Sequence, residues 1–307
     1  MGCRVIDVRR VAVLREVARL GSFNRAAASL RLTPSAVSQQ IAALERELGT
    51  PVVLRSTRGV TLTDAGRVLV EAGDAIAAEL SHAERAIARL GAPDTLTVAT
   101  FTSGGQRLLP AALTRFAAER PGVELTVLEN EPSDALPLVR SGSADVALVY
   151  HFERPPPVRP GDRSGLTYAP LLDDPMWIVL PATHPLADRE SLTIAELGGE
   201  RWVHGCLQIV DMLDHYAALA GFEIRTACRG TDYIFAQSLV RAEVGISMIP
   251  QVALTTATPG GLATVPLAPP CPCRYIGIVT PRHRPNPLTD ALVRALHDTV
   301  AALPVPA

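Results

Sequence analysis

The sequence predicts an N-terminal all-α winged helix-turn-helix continued by a long linker helix, followed by a C-terminal α/β domain. Three observations carry that prediction. Residues 22–48 read as two capped helices joined by a three-residue turn, residues 69–90 hold an apolar seam in steps of four and three, and strand-like and helix-like segments alternate from residue 96 onward. At 307 residues the chain is long enough for two or three units with cores of their own.

Ile6, Val8, Val11, Leu14, Val17 and Ala18 recur at helical spacing, which places a first helix within residues 4–20. Ser22 then caps a short helix, Phe23–Leu30, whose Ala26-Ala27-Ala28 run lets another helix approach closely. After the turn Arg31-Leu32-Thr33, Thr33 is the N-cap of a second helix and Pro34 its first residue, where a missing N–H is no loss. That helix runs to Leu48, and Gly49 stands where a left-handed cap belongs. Val37, Ile41, Leu44 and Leu48 form its buried stripe. Ser35, Ser38, Gln39 and Ala42 share another face that carries no acid. Small hydroxyls and an amide at a helix start suit hydrogen bonds to base edges and phosphates in a major groove.

Thr50–Leu54 reads as a short extended run, Arg55–Gly59 as a polar turn and Val60–Leu62 as the return strand. A hairpin tip of two arginines and two hydroxyls suits phosphate or minor-groove contact, although a solvated turn has the same composition. Thr63 caps the next helix, with Asp64 in its first turn where the helix dipole favours an acid. Along it the positions 69, 73, 76, 80, 83, 87 and 90 are apolar or small, a seam that needs a partner: the body of the same chain or a second copy. A second copy would space two reading helices for a two-fold DNA site. Gly91-Ala92-Pro93 ends the helix.

Beyond it, strands are expected at Leu96–Thr100, Glu124–Leu128, Asp145–Val149, Leu166–Leu171, Trp177–Leu180, Arg201–Val203, Ile224–Cys228, Gly245–Ile249, Leu262–Leu267 and Tyr275–Val279. Helices alternate with them, and a proline-rich loop, Glu153–Pro160, interrupts the pattern. Such βα alternation implies largely parallel sheets covered on both faces.

Charge separates the two parts. Residues 1–67 hold eleven arginines against five acids, whereas the whole chain carries a formal −2. A basic head on an acidic body directs a polyanion to the head alone. No secretory signal or apolar run of membrane-spanning length is visible, so a cytoplasmic protein without membrane contact is expected. Five scattered cysteines make no disulfide framework, and Cys271-Pro272-Cys273 lacks the histidines and spacing of a zinc site. No cofactor or metal is expected, and no enzyme, since the sequence has no G-x-S-x-G elbow, Walker loop, G-x-G-x-x-G or metal-binding helix pair.

Over nearly its whole length the sequence resembles the LysR-type transcriptional regulators. The resemblance rests on Gly21-Ser22-Phe23-Asn24-Arg25-Ala26-Ala27, Thr33–Ile41, Leu44–Gly49, Leu54-Arg55 and Leu62–Gly66. It continues in Leu109-Pro110, Phe116, Pro121, Gly142–Ala147, His184–Ala187 and Gly245–Pro250. The family often has Gln at the place of Thr33, Arg at Gln39 and Phe at Val53, so the Gln39 change removes a cation from the reading face. What the resemblance implies is a winged helix-turn-helix (residues 1–66), a dimerising linker helix (67–91) and a two-lobed effector domain similar to periplasmic binding proteins (92–307). Lobe I is expected at 92–166 and 267–307 and lobe II at 167–266. The function implied is a sequence-specific, DNA-binding transcriptional regulator, a homodimer or homotetramer, controlled by a small molecule and able to meet RNA polymerase. The competing readings are a cytoplasmic solute-binding protein and a thiol-based redox sensor.

On this reading Thr33, Pro34, Ser35, Ser38 and Gln39 enter the groove of double-stranded DNA, while Arg55 and Arg58 clamp phosphates. Ser22, Arg25, Ser56 and Thr57 complete the expected DNA face. In two-lobed α/β domains ligands sit beyond the carboxyl ends of strands, which selects Thr102, Ser103, Pro132, Ser133, Tyr150, His151, Val203, His204, Thr231 and Asp232 as effector contacts. Thr102 and Ser103, at a helix start before two glycines, would hold a carboxylate, which points to a small organic anion. His151 and His204 equally fit satisfied polar residues at strand ends. Cys206 follows His204-Gly205 somewhat as in the peroxide-sensing branch of the family, but the next cysteine is Cys228 rather than one a few residues on.

Overall fold

The computed structural model describes residues 6–56, 59–88, 90, 94–152, 156–158, 165–254, 260–282 and 285–303. The expected tip residues Thr57 and Arg58, the Gly91–Pro93 boundary and most of the proline-rich loop lie outside the described residues. The chain forms two compact units, one mainly from residues 1–92 and one mainly from residues 93–307.

In the first unit α1 (Val8–Leu20), α2 (Phe23–Leu30) and α3 (Pro34–Leu48) precede a hairpin, β1 (Val53–Ser56) and β2 (Gly59–Leu62), and a long helix α4 (Asp64–Ala88). The side chains of Asp7, Ser22 and Thr33 cap α1, α2 and α3 by accepting from the backbone N–H groups of Arg9, Arg25 and Ala36. Gly49 closes α3 in the left-handed conformation, and Arg31, at φ 55°, closes α2 the same way without a glycine. Leu14, Val17, Ala26, Val37, Ile41 and Leu44 meet in one core, and fully burying a side chain such as Ile41 contributes roughly 1.5–3 kcal/mol. Glu45 Oε1 accepts from Val52 N at 2.9 Å and so ties the wing to α3. Gly73 lets α4 close on α1, because a Cβ there would lie 2.5 Å from Val11 Cγ1. The seam of α4 is buried at Leu69, but farther along it Leu80 is 59% and Ile87 67% exposed.

The second unit runs β3 (Thr95–Thr100), α5 (Thr102–Arg107), α6 (Leu109–Glu119), β4 (Glu124–Glu129), α7 (Pro132–Ser141), β5 (Val146–His151) and β6 (Leu166–Pro181). It continues through β7 (Arg201–His204), α8 (Val210–Leu219), β8 (Arg225–Arg229), α9 (Tyr233–Arg241), β9 (Ser247–Pro250), α10 (Gln251–Leu254), β10 (Leu262–Pro266), β11 (Cys273–Pro281) and α11 (Pro287–Ala301). The main sheet has the order β10-β6-β11-β5-β3-β4, with β9 also on β6, and β7 pairs β8 separately. Only part of this is parallel: β4 and β5 run with β3, whereas β11 is antiparallel to β5 and β6, and β6 is antiparallel to β9 and β10. The expectation of largely parallel sheets is therefore corrected to a mixed sheet. The two strands expected at Leu166–Leu171 and Trp177–Leu180 are likewise one strand of 16 residues. The intervening Asp173-Asp174-Pro175 reads as a break, yet Asp174 is 1% exposed and sits opposite Arg274 of β11 in register.

β6 contributes to two cores. Leu96, Phe116, Leu148, Ile278 and Leu292 build one, and Ile178, Trp202, Leu213, Met248 and Val265 build the other. The unit is therefore two-lobed, with β6 running from one core to the other.

Candidate functional site

The first site is the surface of α3 and its wing. Thr33, Pro34, Ser35 and Gln39 are exposed and Ser38 half-buried, on the side away from Val37, Ile41 and Leu44. Thr33 Oγ1, already the cap of α3, lies 3.0 Å from Ser35 Oγ. The hydroxyl of Ser22 is likewise a cap, taking Arg25 N at 3.4 Å, while Arg25 itself is exposed. Arg55 crosses from β1 to donate through Nη2 to Ser38 Oγ at 3.1 Å, and its guanidinium covers the ring of Phe23 at 4.3 Å. Ser56 Oγ donates to Gly59 O at 3.2 Å and shapes the wing tip. The wing therefore carries its cation on the face where the polar residues of α3 emerge.

The second site is a crevice of about 420 Å³, open mouth included, within the second unit. It gathers Thr102, Ser103, Tyr150, Thr231 and Asp232 from the expected contacts, together with Cys206. Pro132, Ser133, His151, Val203 and His204 do not line it. Strand alternation explains two of these placements: with Tyr150 turned into the crevice, His151 points to the other face of β5, stacked on Tyr275 at 5.3 Å. Val203 is a core residue at 1% exposure, and His204 Nε2 lies 3.2 Å from Thr226 Oγ1. Burial, with Arg229 nearby, holds the His204 imidazole below the ordinary histidine value.

The crevice also holds residues that periodicity did not single out: Phe101, Gln106, Glu131, Tyr233 and Arg274. Tyr150 donates to Glu131 Oε2 at 2.6 Å and lies 3.5 Å from Cys206 Sγ. Burial, the Cys206 sulfur and Glu131 push its phenol far above the usual range. Arg274 is 1% exposed, with its Nε 2.8 Å and Nη2 2.6 Å from the same oxygen, Oδ2, of Asp174. Asp174 Oδ1 takes Val252 N at 2.9 Å, so the carboxylate also anchors the start of α10. Burial opposes the Arg274 charge but Asp174 outweighs it, and the guanidinium stays protonated. Away from the crevice, burial raises Cys271 and lifts Cys273 to about 11, so both remain thiols at neutral pH. Among the described residues no helix is long and apolar enough to cross a membrane.

Two family models match the chain: a bacterial regulatory helix-turn-helix protein of the lysR family over residues 8–67, and a LysR substrate binding domain over residues 90–301. A Mycobacterium avium protein named "Probable hydrogen peroxide-inducible genes activator" is 32% identical over 280 residues, covering 86% of this chain and 84% of its own. Among solved structures, full-length BenM superposes with a TM-score of 0.58 at 19% identity, covering 96% of this chain and 97% of that one. Full-length CbnR in complex with its target DNA superposes at 0.54 and 21% identity, covering 96% and 99%. These two likenesses concern the fold. The chain belongs to the LysR family of bacterial regulatory proteins, with that family's helix-turn-helix and substrate-binding domains.

Proposed function

We propose that Thr33, Pro34, Ser35, Ser38 and Gln39 read the major groove while Arg25, Arg55 and the wing tip, with Ser22 and Ser56, hold the phosphate backbone. The single observation that supports this most is the Arg55–Ser38 bond, which sets a cation beside an acid-free helix face. Residues 1–66 act as the DNA-binding domain, 67–91 as the dimerising linker and 92–307 as the effector domain. Leu80 and Ile87, exposed on a heptad seam, are the surface through which two copies pair to read a two-fold site. The crevice between the lobes takes the effector, and its occupancy shifts the paired heads on DNA and their access to RNA polymerase. The chain performs no catalysis of its own and works in the cytoplasm. Selection of bound fragments from genomic DNA, followed by footprinting, tests this reading. One protected two-fold site, with altered preference in Ser38→Ala and Gln39→Ala, is the expected result. Protection without sequence preference would overturn it.

A second reading is favoured by the position of Cys206 in the crevice, 3.5 Å from the Tyr150 hydroxyl, and by the name of the M. avium relative. Here the Cys206 thiolate attacks one oxygen of hydrogen peroxide. The S–O bond forms as the O–O bond breaks, the sulfur is oxidised to a sulfenic acid, and the departing hydroxide takes up a proton as water. Mass spectrometry of the peroxide-treated protein and of Cys206→Ser tests it; an unmodified Cys206 would remove it.

A further inference from the structure

The polar groups of the crevice are out of balance. Ser103 is 4% exposed, and among the described residues its buried Oγ has no hydrogen-bond partner. The buried Tyr233 hydroxyl likewise makes no hydrogen bond of proper geometry among the described residues and has the Cys206 sulfur, a weak partner, near it. Arg274 donates through Nε to Asp174 Oδ2, while its buried Nη2, 2.6 Å from the same oxygen, makes no hydrogen bond of proper geometry among the described residues, and its guanidinium lies 5.1 Å from the ring centroids of both Phe101 and Tyr150. All of these groups line the same crevice. Buried polar groups are normally satisfied, so converging donors without acceptors mark the place of a missing acceptor. At the rim stands the opposite need: the exposed Glu131 takes Tyr150 and Gln208 on Oε2, and among the described residues Oε1 is left to accept.

We infer that the crevice is built for a small carboxylate that also carries a hydrogen-bond donor, an amino or hydroxy acid, with Ser103, Tyr233 and Arg274 on the carboxylate and Glu131 on the donor. The inference rests on the reading of the crevice as the effector site and names the chemistry of that effector. It does not use the start of α5, which has only six residues; the hydroxyl of Ser103 and the guanidinium supply the donors. Tyr150 spans the two ends, since its hydroxyl meets Glu131 while its ring lies under Arg274. A bare dicarboxylate would set its second charge against Glu131 and Asp232 and is disfavoured.

The test is thermal unfolding and calorimetric titration of the full chain with the common amino acids, glycolate, lactate and malate, each paired with its carboxamide. The expected result is a carboxylate that binds while its amide does not, with Ser103→Ala and Tyr233→Phe each weakening it about tenfold or more. Neither variant should lower the Tm of the unliganded protein, because neither hydroxyl is satisfied there; a lowered Tm for both would overturn the inference. Amides that bind as well as their acids, still weakened by the two variants, would overturn the carboxylate assignment and leave the crevice as the effector site. Binding untouched by both variants would overturn the crevice reading itself. A panel with no binder would overturn the amino or hydroxy acid assignment.

Discussion

Arg55 Nη2 donates to Ser38 Oγ at 3.1 Å, and this bond couples the wing to α3. With the ring of Phe23 beneath it at 4.3 Å, the guanidinium is held in place before any DNA arrives, so less side-chain freedom is lost on binding. Arg55→Ala should weaken binding to every sequence and lower the slope of log affinity against log salt by about one. Ser38→Ala should keep that slope and change the preference among sites. Competition binding at several salt concentrations checks both, and an unchanged slope in Arg55→Ala would remove Arg55 from the phosphate contacts.

The exposed half of the α4 seam gives a prediction about assembly. Leu80→Glu and Ile87→Glu place charges on a surface that needs an apolar partner. Sedimentation equilibrium should show the doubly substituted chain as a monomer at concentrations where the unaltered chain is a dimer or larger. An unaltered mass would assign the assembly to another surface.

The Asp174–Arg274 pair joins β6 and β11 deep in the unit. Asp174→Asn or Arg274→Met alone leaves a buried group unpaired and should cost about 3–5 kcal/mol, whereas the double substitution should recover most of the loss. Calorimetric unfolding of the four proteins measures the coupling. Losses that simply add would contradict a pairwise role.

His204 gives the pH dependence. Burial holds its folded pKa below the unfolded value of about 6.5, so the unfolded chain takes up a proton that the folded chain resists. Stability is therefore whole above about pH 6.5 and falls as pH drops below it toward the folded pKa. Tm measured against pH should decline there in the unaltered chain and less steeply in His204→Asn. Parallel curves would place the acid sensitivity elsewhere.

The N-terminal unit was legible because its signals are local. Ser22, Thr33, Pro34 and Gly49 each announce a helix end within a few residues, and Val37, Ile41 and Leu44 announce the face between. The crevice was half legible. Thr102, Ser103, Tyr150, Thr231 and Asp232 lie at or just beyond strand carboxyl ends, and that rule found them. Strand ends alone do not say which face a residue takes, and so His151 and Tyr150 were read alike although β5 sends them to opposite sides. Arg274 and Asp174 were hidden for a different reason. They lie 100 residues apart in sequence, and only antiparallel pairing of β6 with β11 shows that a charged strand interior is a neutralised pair. The same pairing makes one long strand of a segment whose Asp-Asp-Pro composition signals a turn.

Fluorescence anisotropy of the full chain on labelled DNA from upstream of its own gene, titrated with salt and with unrelated competitor, bears on the whole reading at once. Tight binding that resists competitor and weakens steeply with salt is the predicted result. Affinity no higher than for unrelated DNA, on this fragment and on every fragment selected from the genome, would contradict it.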